Sequence, residues 1–426
     1  MQRKKNIKLA YLLCSICLIL VFAVLPFMTA CTATTTATTT ATTTATTTAV
    51  STATTTATTT EIAPVVVNEW DIPMVTSLTG ALAPTGNNMA WVVNYAASEI
   101  NAAGGIRGVP VKITAYDDAH SATQAVSAVA KAIPNSLVLI GPNDGSLDDA
   151  CAQLITSNHI LDIGGETEPS IRTALSPYCL GNMNDFTEGM VAGVKQWLSM
   201  NPSIKKVAII YYPMDVYPLQ TMIPAALAPL GITCLPIQIS FTQLDFTSVV
   251  AQAVAAGCDG YIDGGEPAAH IAIAQALYNR GITQGTELWG CTVCDDPSLF
   301  SAGKGYMENS YILGNGNPLD TSTEYMKMQT AYANANGGAQ LPVSFLAYYN
   351  FLFALKNVIE TLGITGDPSK LAVEKSEIAG YFYNSPVFHG LQFDYQWVNG
   401  RMEGPLFLLQ IQNNKYANVT TVPAFN

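Results

Sequence analysis

Three polar turns follow short predicted strands in this chain, and their residue types favour binding of a small solute. The first turn, Asn143-Asp144-Gly145-Ser146, lies between the apolar run 137–140 and a helical pattern. Free backbone N–H groups at the start of a helix hold a ligand carboxylate. Asp144 would repel such a ligand if its side chain pointed inward; alternatively, it only caps the helix. The sequence leaves both interpretations open.

The other two turns also carry acids. Gly164-Gly165-Glu166-Thr167 follows the predicted strand 160–163, and Gly264-Gly265-Glu266 follows the predicted strand 261–263. An exposed, salt-bridged Glu166 is the alternative to a binding role, since most glutamates lie at the surface. A carboxylate that faces a closed site needs a cationic partner. These turns therefore predict a solute site that contains acidic groups.

Catalytic and metal chemistry have no matching pattern. The chain has no G-x-S-x-G elbow, Walker loop or H-E-x-x-H motif. Cys291 and Cys294 form a C-x-x-C pair, but Asp295 and Asp296 follow, and nearby acids raise a thiol pKa. A local disulfide or two packed thiols is favoured over redox chemistry. We predict no enzyme activity, no metal and no cofactor. The four histidines are isolated in sequence: His120, His159, His270 and His389.

The first thirty residues have the order of a secretory signal. A basic stretch precedes an apolar run over 9–28 and two small residues, as is typical of exported proteins. Met28-Thr29-Ala30-Cys31 resembles a bacterial lipobox, with Met28 in place of the usual Leu. We predict that residues 1–30 are removed and that a lipid on Cys31 anchors the protein in the membrane. An ordinary signal peptide or a retained helix is the alternative. Each interpretation places the rest of the chain outside the cytoplasm.

Residues 31–61 are predicted to form a tether behind the anchor. From 32 to 60 the chain is almost wholly Thr and Ala in a repeated Ala-Thr-Thr-Thr unit, and Val50 is its only large apolar residue. Such a stretch cannot bury enough surface to offset its ordering entropy. We predict a disordered segment, open to O-glycosylation, that carries no chemistry of its own.

The charge of the chain restricts the partners that it can bind. The chain has 19 Lys and Arg against 31 Asp and Glu, a net charge of -12, and four of those cations lie in the signal. The exported part is therefore strongly acidic, which argues against a nucleic-acid partner, because phosphate contacts need clustered cations.

Six cysteines follow Cys31, and the sequence does not decide whether they form disulfides or remain buried free thiols. They are Cys151, Cys179, Cys234, Cys258, Cys291 and Cys294.

From about residue 62 the chain alternates between strand and helix patterns. Val92, Ala96 and Ile100 fall four apart and predict one apolar helical face. Residues 80–88 are predicted to form a loop, because they contain a proline and two glycines. A second series of strands and helices begins near residue 189. The alternation predicts an α/β protein with two doubly wound parallel-sheet lobes, and ligands lie beyond the carboxyl ends of such strands.

Several segments together carry a family likeness. The first is VTSLTGALAPTG at 75–86, followed by NYAASEINAAGGIRGVPVKITAYDD at 94–118. Later segments read LIGPNDG at 139–145, KVAIIY at 206–211 and DFTSVVAQAVAAGCDGYIDGG at 245–265. The combination resembles type I periplasmic binding proteins, in particular the branched-chain amino-acid-binding branch of ABC importers. The likeness extends over nearly all of residues 70–422.

The resemblance implies two lobes joined by three crossovers that close on a ligand. We place the first lobe at 62–183 and 316–398, and the second lobe at 184–315 and 399–426. It also implies a monomer that captures a small molecule and delivers it to an ABC permease in the membrane. A receptor of the same fold that senses a solute without transport is one alternative, and an enzyme on a two-lobe scaffold is another.

The resemblance also assigns ligand contacts. In the family, the turn at 143–146 grips the carboxylate of an amino acid, and the loop at Gly165 and Thr167 offers a carbonyl and a hydroxyl. Tyr217 matches an aromatic residue that closes over the ligand. The predicted ligand-binding residues are Ser77, Thr79, Thr85, Asp144, Gly145, Ser146, Gly165, Glu166, Thr167, Tyr217, Glu266 and Thr292.

Four of these residues depart from the family pattern. Thr292 stands where a Glu usually pairs with the ligand ammonium, and Thr85 stands where a Tyr or Trp commonly packs. Acids occur at Glu166, where a small residue is usual, and at Glu266, where an aromatic is frequent. We therefore hypothesise a ligand other than a plain branched-chain amino acid, such as an amine, an amide or another nitrogen-bearing polar solute.

Overall fold

The computed structural model describes residues 63–80, 82–165, 175–182, 188–213, 216–240, 242–265, 267–282, 287–289, 298–303 and 305–423. Its strands are β1 (Trp70–Thr76), β2 (Val111–Asp117), β3 (Val138–Ile140), β4 (Leu161–Gly164), β5 (Cys179–Gly181), β6 (Lys206–Tyr211), β7 (Thr233–Gln238), β8 (Gly260–Asp263), β9 (Glu287–Trp289), β10 (Tyr311–Gly314), β11 (Phe388–His389), β12 (Asp394–Val398), β13 (Arg401–Glu403), β14 (Leu406–Gln412) and β15 (Lys415–Val422). Its α-helices are α1 (Ala83–Ala102), α2 (Ala122–Ala132), α3 (Gly145–Ser157), α4 (Glu188–Met200), α5 (Ile223–Leu227), α6 (Thr247–Ala255), α7 (Pro267–Tyr278), α8 (Ser298–Ala302), α9 (Thr323–Ala335), α10 (Leu346–Leu362) and α11 (Leu371–Tyr383).

Five parallel strands form the first sheet, in the order β2-β1-β3-β4-β5. Ile72 and Met74 of β1 pack with α1 and α10 on one face. Val75 packs with α2 and α3 on the other face. The period of two in a strand sends these neighbours to opposite sides, so helices cover both faces of the sheet.

The second sheet has seven strands in the order β15-β14-β10-β9-β8-β6-β7. Strands β6 to β10 are parallel, whereas β14 and β15 are antiparallel to their neighbours. Val207 and Ile209 of β6 pack with Trp197 of α4, and Ala208 and Ile210 pack with α6 and α7 on the opposite face. The predicted α/β fold with two parallel-sheet lobes is confirmed.

The C-terminal part of the chain packs first with one sheet and then with the other. Trp397 and Met402 lie in the core of the first sheet, and the Trp397 indole N–H donates to the Gly181 carbonyl at 3.0 Å. Strand β14 then pairs with β10 in the second sheet. Met402 of β13 is thus buried in the core of the first sheet. The lobe limits stay predictions.

The loop predicted over residues 80–88 is wrong from Ala83 onward. Helix α1 begins at Ala83 with Pro84 in its first turn, where the missing N–H of proline costs no helical hydrogen bond. A Cβ at Gly86 would stand 2.0 Å from the Ser77 carbonyl oxygen. The glycine therefore allows the start of α1 to pack directly on the chain that follows β1.

Four of the six cysteines beyond Cys31 lie in the described part, and all four are free thiols: Cys151, Cys179, Cys234 and Cys258. Burial raises the pKa of Cys151 to about 12 and that of Cys234 to about 11. Thiols with such values are poor nucleophiles at neutral pH. The C-x-x-C pair Cys291 and Cys294 lies outside the described residues.

Candidate functional site

The carboxyl ends of four strands bring their loops together at one edge of the first sheet. The buried hydroxyl of Thr76, at the end of β1, donates to Asn143 Oδ1 in the loop after β3 at 3.2 Å. The Gly165 N–H after β4 donates to the Pro142 carbonyl at 2.9 Å. In open α/β sheets this edge is where ligands bind, so the first two polar turns of the sequence, as far as Gly165, meet where a site is expected.

Asp117 and Asp118, where β2 ends, hold the loop that follows β1. The Ser77 hydroxyl donates to Asp118 Oδ1 at 2.6 Å, and the Thr79 hydroxyl donates to Asp117 Oδ2 at 2.6 Å. The Leu78 and Thr79 N–H groups donate to Asp117 Oδ1 at 2.9 and 3.2 Å. Because their hydroxyl hydrogens are engaged within the chain, Ser77 and Thr79 shape this loop. Their direct contact with a ligand stays a prediction.

Asp144 caps α3, as one of the two sequence interpretations holds. Its Oδ1 accepts the Ser146 N–H at 3.0 Å and the Ser146 hydroxyl at 2.5 Å. Its Oδ2 lies 3.4 Å from Nε2 of His120. Burial raises the pKa of Asp144, but hydrogen bonds from His120 and Ser146 outweigh burial and hold it below the ordinary value. Asp144 is therefore an anion at neutral pH.

The remaining predicted contacts of the first sheet lie beside Asp144. Gly145 is the first residue of α3, and Ser146 is exposed on its first turn. Thr85 is half-buried in the first turn of α1. A Cβ at Gly165 would stand 2.4 Å from the carbonyl group of Asn143 and 2.6 Å from the Asp144 nitrogen. The loops after β3 and β4 thus touch through their backbones, and only glycine permits this.

We expect Gly165→Ala to push these two loops apart. Overpacking of this kind lowers the free energy of unfolding by about 1–3 kcal/mol, and we expect less solute to co-purify with the variant. Urea denaturation measures the first effect. Gly380→Ala in α11 is the matched control, since no atom lies within 4 Å of a Cβ placed there and alanine favours a helix. Equal stabilities of the two variants would contradict this close approach.

The corresponding edge of the second sheet carries a fully buried Asp–His pair. Asp263, at the end of β8, lies 2.9 Å through Oδ2 from Nδ1 of His270 on α7. Asp263 Oδ1 also accepts the Gly265 N–H at 2.7 Å. The pair therefore holds the turn that leads to Glu266. The sequence did not indicate this Asp–His pair, because the two residues lie seven positions apart in different elements.

A second buried acidic feature lies behind the first-sheet loops. Asp148 of α3 and Asp162 of β4 are both inaccessible to solvent. Burial raises the pKa of Asp162 well above its usual value, although a hydrogen bond with Asp148 acts in the opposite direction. A Cβ at Gly164 would stand 2.0 Å from Asp148 Oδ2. The signal in the sequence is an acid inside an otherwise apolar strand, and the strand pattern alone does not show that Asp148 lies beside it.

Several predicted site residues have no described side chain. Tyr217 lies in a π-helical turn, Val216–Met222, but the position of its ring is not described. Within the described ranges, no group of three or more His, Cys, Asp or Glu is placed to hold a metal ion. Over the same ranges, no helix has the length and apolar character to cross a membrane. The predicted residues outside the described part are Cys31, Glu166, Thr167, Glu266 and Thr292.

Comparison with known proteins gives the family. The family model described as periplasmic binding protein matches residues 69–416, so the chain belongs to the periplasmic binding protein family. The likeness to type I periplasmic binding proteins is thereby confirmed, and this membership implies an extracytoplasmic protein. A search of curated proteins finds no matching sequence.

Solved structures share the fold at low sequence identity. A leucine-binding protein from Thermotoga maritima is 18% identical with a TM-score of 0.69, covering 83% of this chain and 98% of its own. A fatty acid ABC transporter substrate-binding protein from Thermomonospora curvata is 20% identical with a TM-score of 0.71, covering 85% and 94%. A solute-binding protein from Rhodopseudomonas palustris, in complex with 3,4-dihydroxybenzoic acid, is 15% identical with a TM-score of 0.68, covering 84% and 96%. These relatives are binding proteins with different solutes, so the fold alone does not name the ligand.

Proposed function

We propose that this protein is the exported, lipid-anchored capture subunit of an ABC importer. In this proposal the lobes of a monomer close on a small solute and present it to a permease in the membrane. Family membership and the loops gathered at the carboxyl edge of each sheet support the capture role. Closure requires contacts that form only when both lobes touch the solute.

We propose further that the solute carries a nitrogen donor, as an amine or an amide does. The observation that carries this proposal is Asp144, an anion at the turn where the family holds an amino-acid carboxylate. A ligand carboxylate would meet a like charge there, whereas an N–H group would meet an acceptor. Glu166 and Glu266 add acidic groups to the proposed site, and Thr292 replaces the usual ammonium partner.

The remaining proposed contacts come from both lobes. In the first lobe, Thr85, Gly145, Ser146, Gly165 and Thr167 would orient the polar part of the solute. In the second lobe, Tyr217 would close over it. Ser77 and Thr79 would act by holding their loop, because Asp117 and Asp118 accept their hydroxyl hydrogens.

Mass spectrometry of the solute released from purified protein tests the capture role directly. Thermal shifts with leucine, valine, alkylamines and primary amides then test the solute class, since a ligand at a hundred times its Kd stabilises by about 2.7 kcal/mol. We expect a nitrogen-bearing compound without a free carboxylate to give the largest shift. A large shift with leucine or valine alone would contradict the proposed class.

Replacement of the predicted lipid attachment site tests the anchor. In the proposed protein, Cys31→Ala prevents lipidation, and the exported chain moves from the membrane fraction to the soluble fraction. Fractionation with an antibody against the folded part measures this. An unchanged membrane fraction would instead support a retained N-terminal helix.

A further inference from the structure

The turn after β2 has an unusual backbone that two carboxylates fix in place. Ala119 and His120 have φ angles of +47° and +54°. Non-glycine residues in this region are uncommon and strained, and they persist where the surroundings determine them. The Ala119 N–H donates to Asp117 Oδ1 at 2.9 Å, and the His120 N–H donates to Asp118 Oδ1 at 2.8 Å. The acids that hold the loop after β1 therefore also hold the backbone from which the His120 side chain extends.

The His120 imidazole reaches Asp144, the cap of α3. Nε2 of His120 lies 3.4 Å from Asp144 Oδ2, longer than the 2.7–2.9 Å of a charge-assisted hydrogen bond. The two side chains remain 38% and 22% exposed. A solute can therefore reach this contact from solvent. The contact is also long enough for a better hydrogen-bond donor to replace it.

The two oxygens of Asp144 have different partners. Oδ1 accepts both Ser146 donors and serves as the helix cap. Oδ2 is the oxygen nearest His120. A solute N–H group that approaches Asp144 would meet Oδ2 and would compete there with the imidazole.

We propose that His120 is a specificity-determining residue that competes with the nitrogen of the solute for Asp144. The inference rests on the proposed function and adds a group that regulates solute binding at the same site. Protonated His120 compensates the charge of Asp144 and opposes a cationic solute. Neutral His120 leaves the carboxylate to that solute. Acids lie at this turn: Asp117 accepts the Ala119 N–H, Asp118 accepts the His120 N–H, and Asp144 lies across from the imidazole, with the buried Asp148 one helical turn further along α3.

The pH dependence follows from this competition. An ordinary histidine titrates near pH 6.5. If protonated His120 keeps a cationic solute away from Asp144, the affinity for that solute is about tenfold weaker at pH 5.5 than at pH 7.5. The carboxylate of Asp144 stays ionised over this range, because its pKa lies below the ordinary value.

Isothermal titration calorimetry at pH 5.5 and 7.5, at constant ionic strength, tests the inference with putrescine and propionamide as probes. We expect the affinity of the wild type for putrescine to fall about tenfold at pH 5.5. His120→Asn removes the titrating group and suits a left-handed backbone, so its affinity should hardly change with pH. Asp144→Asn retains the cap and should lose both the putrescine affinity and its pH dependence. His389→Asn is the matched control, since His389 is 88% exposed beside Asp394, and it should behave as wild type.

Each outcome bears on the inference. Equal pH dependence in wild type and His120→Asn would overturn it, as would a loss of affinity in His120→Asn at both pH values, which would make His120 a direct contact. Putrescine binding without any pH effect would overturn this inference alone and leave the proposed solute class standing. No putrescine binding by any variant, with binding of leucine by the wild type, would overturn the solute class as well.

Discussion

Asp263→Ala is expected to lower the free energy of unfolding by about 3 kcal/mol, the order found when one partner of a buried pair is removed. The carboxylate is fully buried and meets two donors, the His270 imidazole at 2.9 Å and the Gly265 N–H at 2.7 Å. Alanine removes the acceptor from both donors in a place that water does not reach. The turn that leads to Glu266 then loses its anchor, so solute binding should also weaken.

Urea denaturation followed by circular dichroism measures this effect. Asp245→Ala is the matched control in the same lobe, because Asp245 also accepts a backbone N–H, that of Thr247 at 2.8 Å, but is exposed. Loss of such an exposed contact is expected to cost much less, because solvent replaces the lost acceptor. Asp263→Asn retains one oxygen acceptor and should fall between the two. If Asp263→Ala and Asp245→Ala cost the same, the buried pair does not anchor the turn.

Asp162→Asn is expected to change the free energy of unfolding in the opposite direction. It should stabilise the protein at neutral pH by about 1–3 kcal/mol, on the scale of a buried desolvation penalty. Asp162 is buried beside Asp148, and burial raises its pKa well above the usual value. An amide cannot ionise and still offers a donor to the Asp148 carboxylate. The variant therefore keeps the contact between the side chains and removes the cost of retaining a proton on Asp162 at neutral pH.

The sign of the pH dependence follows from the raised pKa. The folded chain retains a proton on Asp162 that the unfolded chain releases above about pH 3.9. The stabilising contribution is fully present below that value and is lost as the pH rises toward the pKa of the folded state. We expect the free energy of unfolding of the wild type to fall over this range, and that of Asp162→Asn to fall less.

Denaturation at several pH values between 4 and 8 measures the difference. Asp149→Asn is the matched control, because Asp149 is exposed on the same helix as Asp148. It should follow the wild type at every pH. Parallel pH profiles for wild type and Asp162→Asn would show that the buried pair does not share a proton.

Local patterns were sufficient to predict most elements of the two sheets. Helix α1 follows from apolar residues four apart, and β3 from an uninterrupted apolar run, because burial on one or two faces dictates those periods. The sequence predicted a loop at the start of α1, because Pro84 and Gly86 are compatible with a loop as well as with a helix. A proline suits a loop and the first turn of a helix equally well. Only the approach of Gly86 to the Ser77 carbonyl oxygen decides between them.

The sequence by itself determined the acidic character of the chain, the α/β alternation and the turns that carry the polar residues, and it predicted export. Those features depend on composition and on neighbours along the chain. Tertiary structure alone decided which polar groups meet. It brought His120 to Asp144, His270 to Asp263 and Asp162 to Asp148. Such pairs depend on strand order and on how deeply each loop lies, and neither is encoded in the spacing of the partners. A histidine that looks isolated in sequence therefore becomes a candidate determinant of what the site accepts.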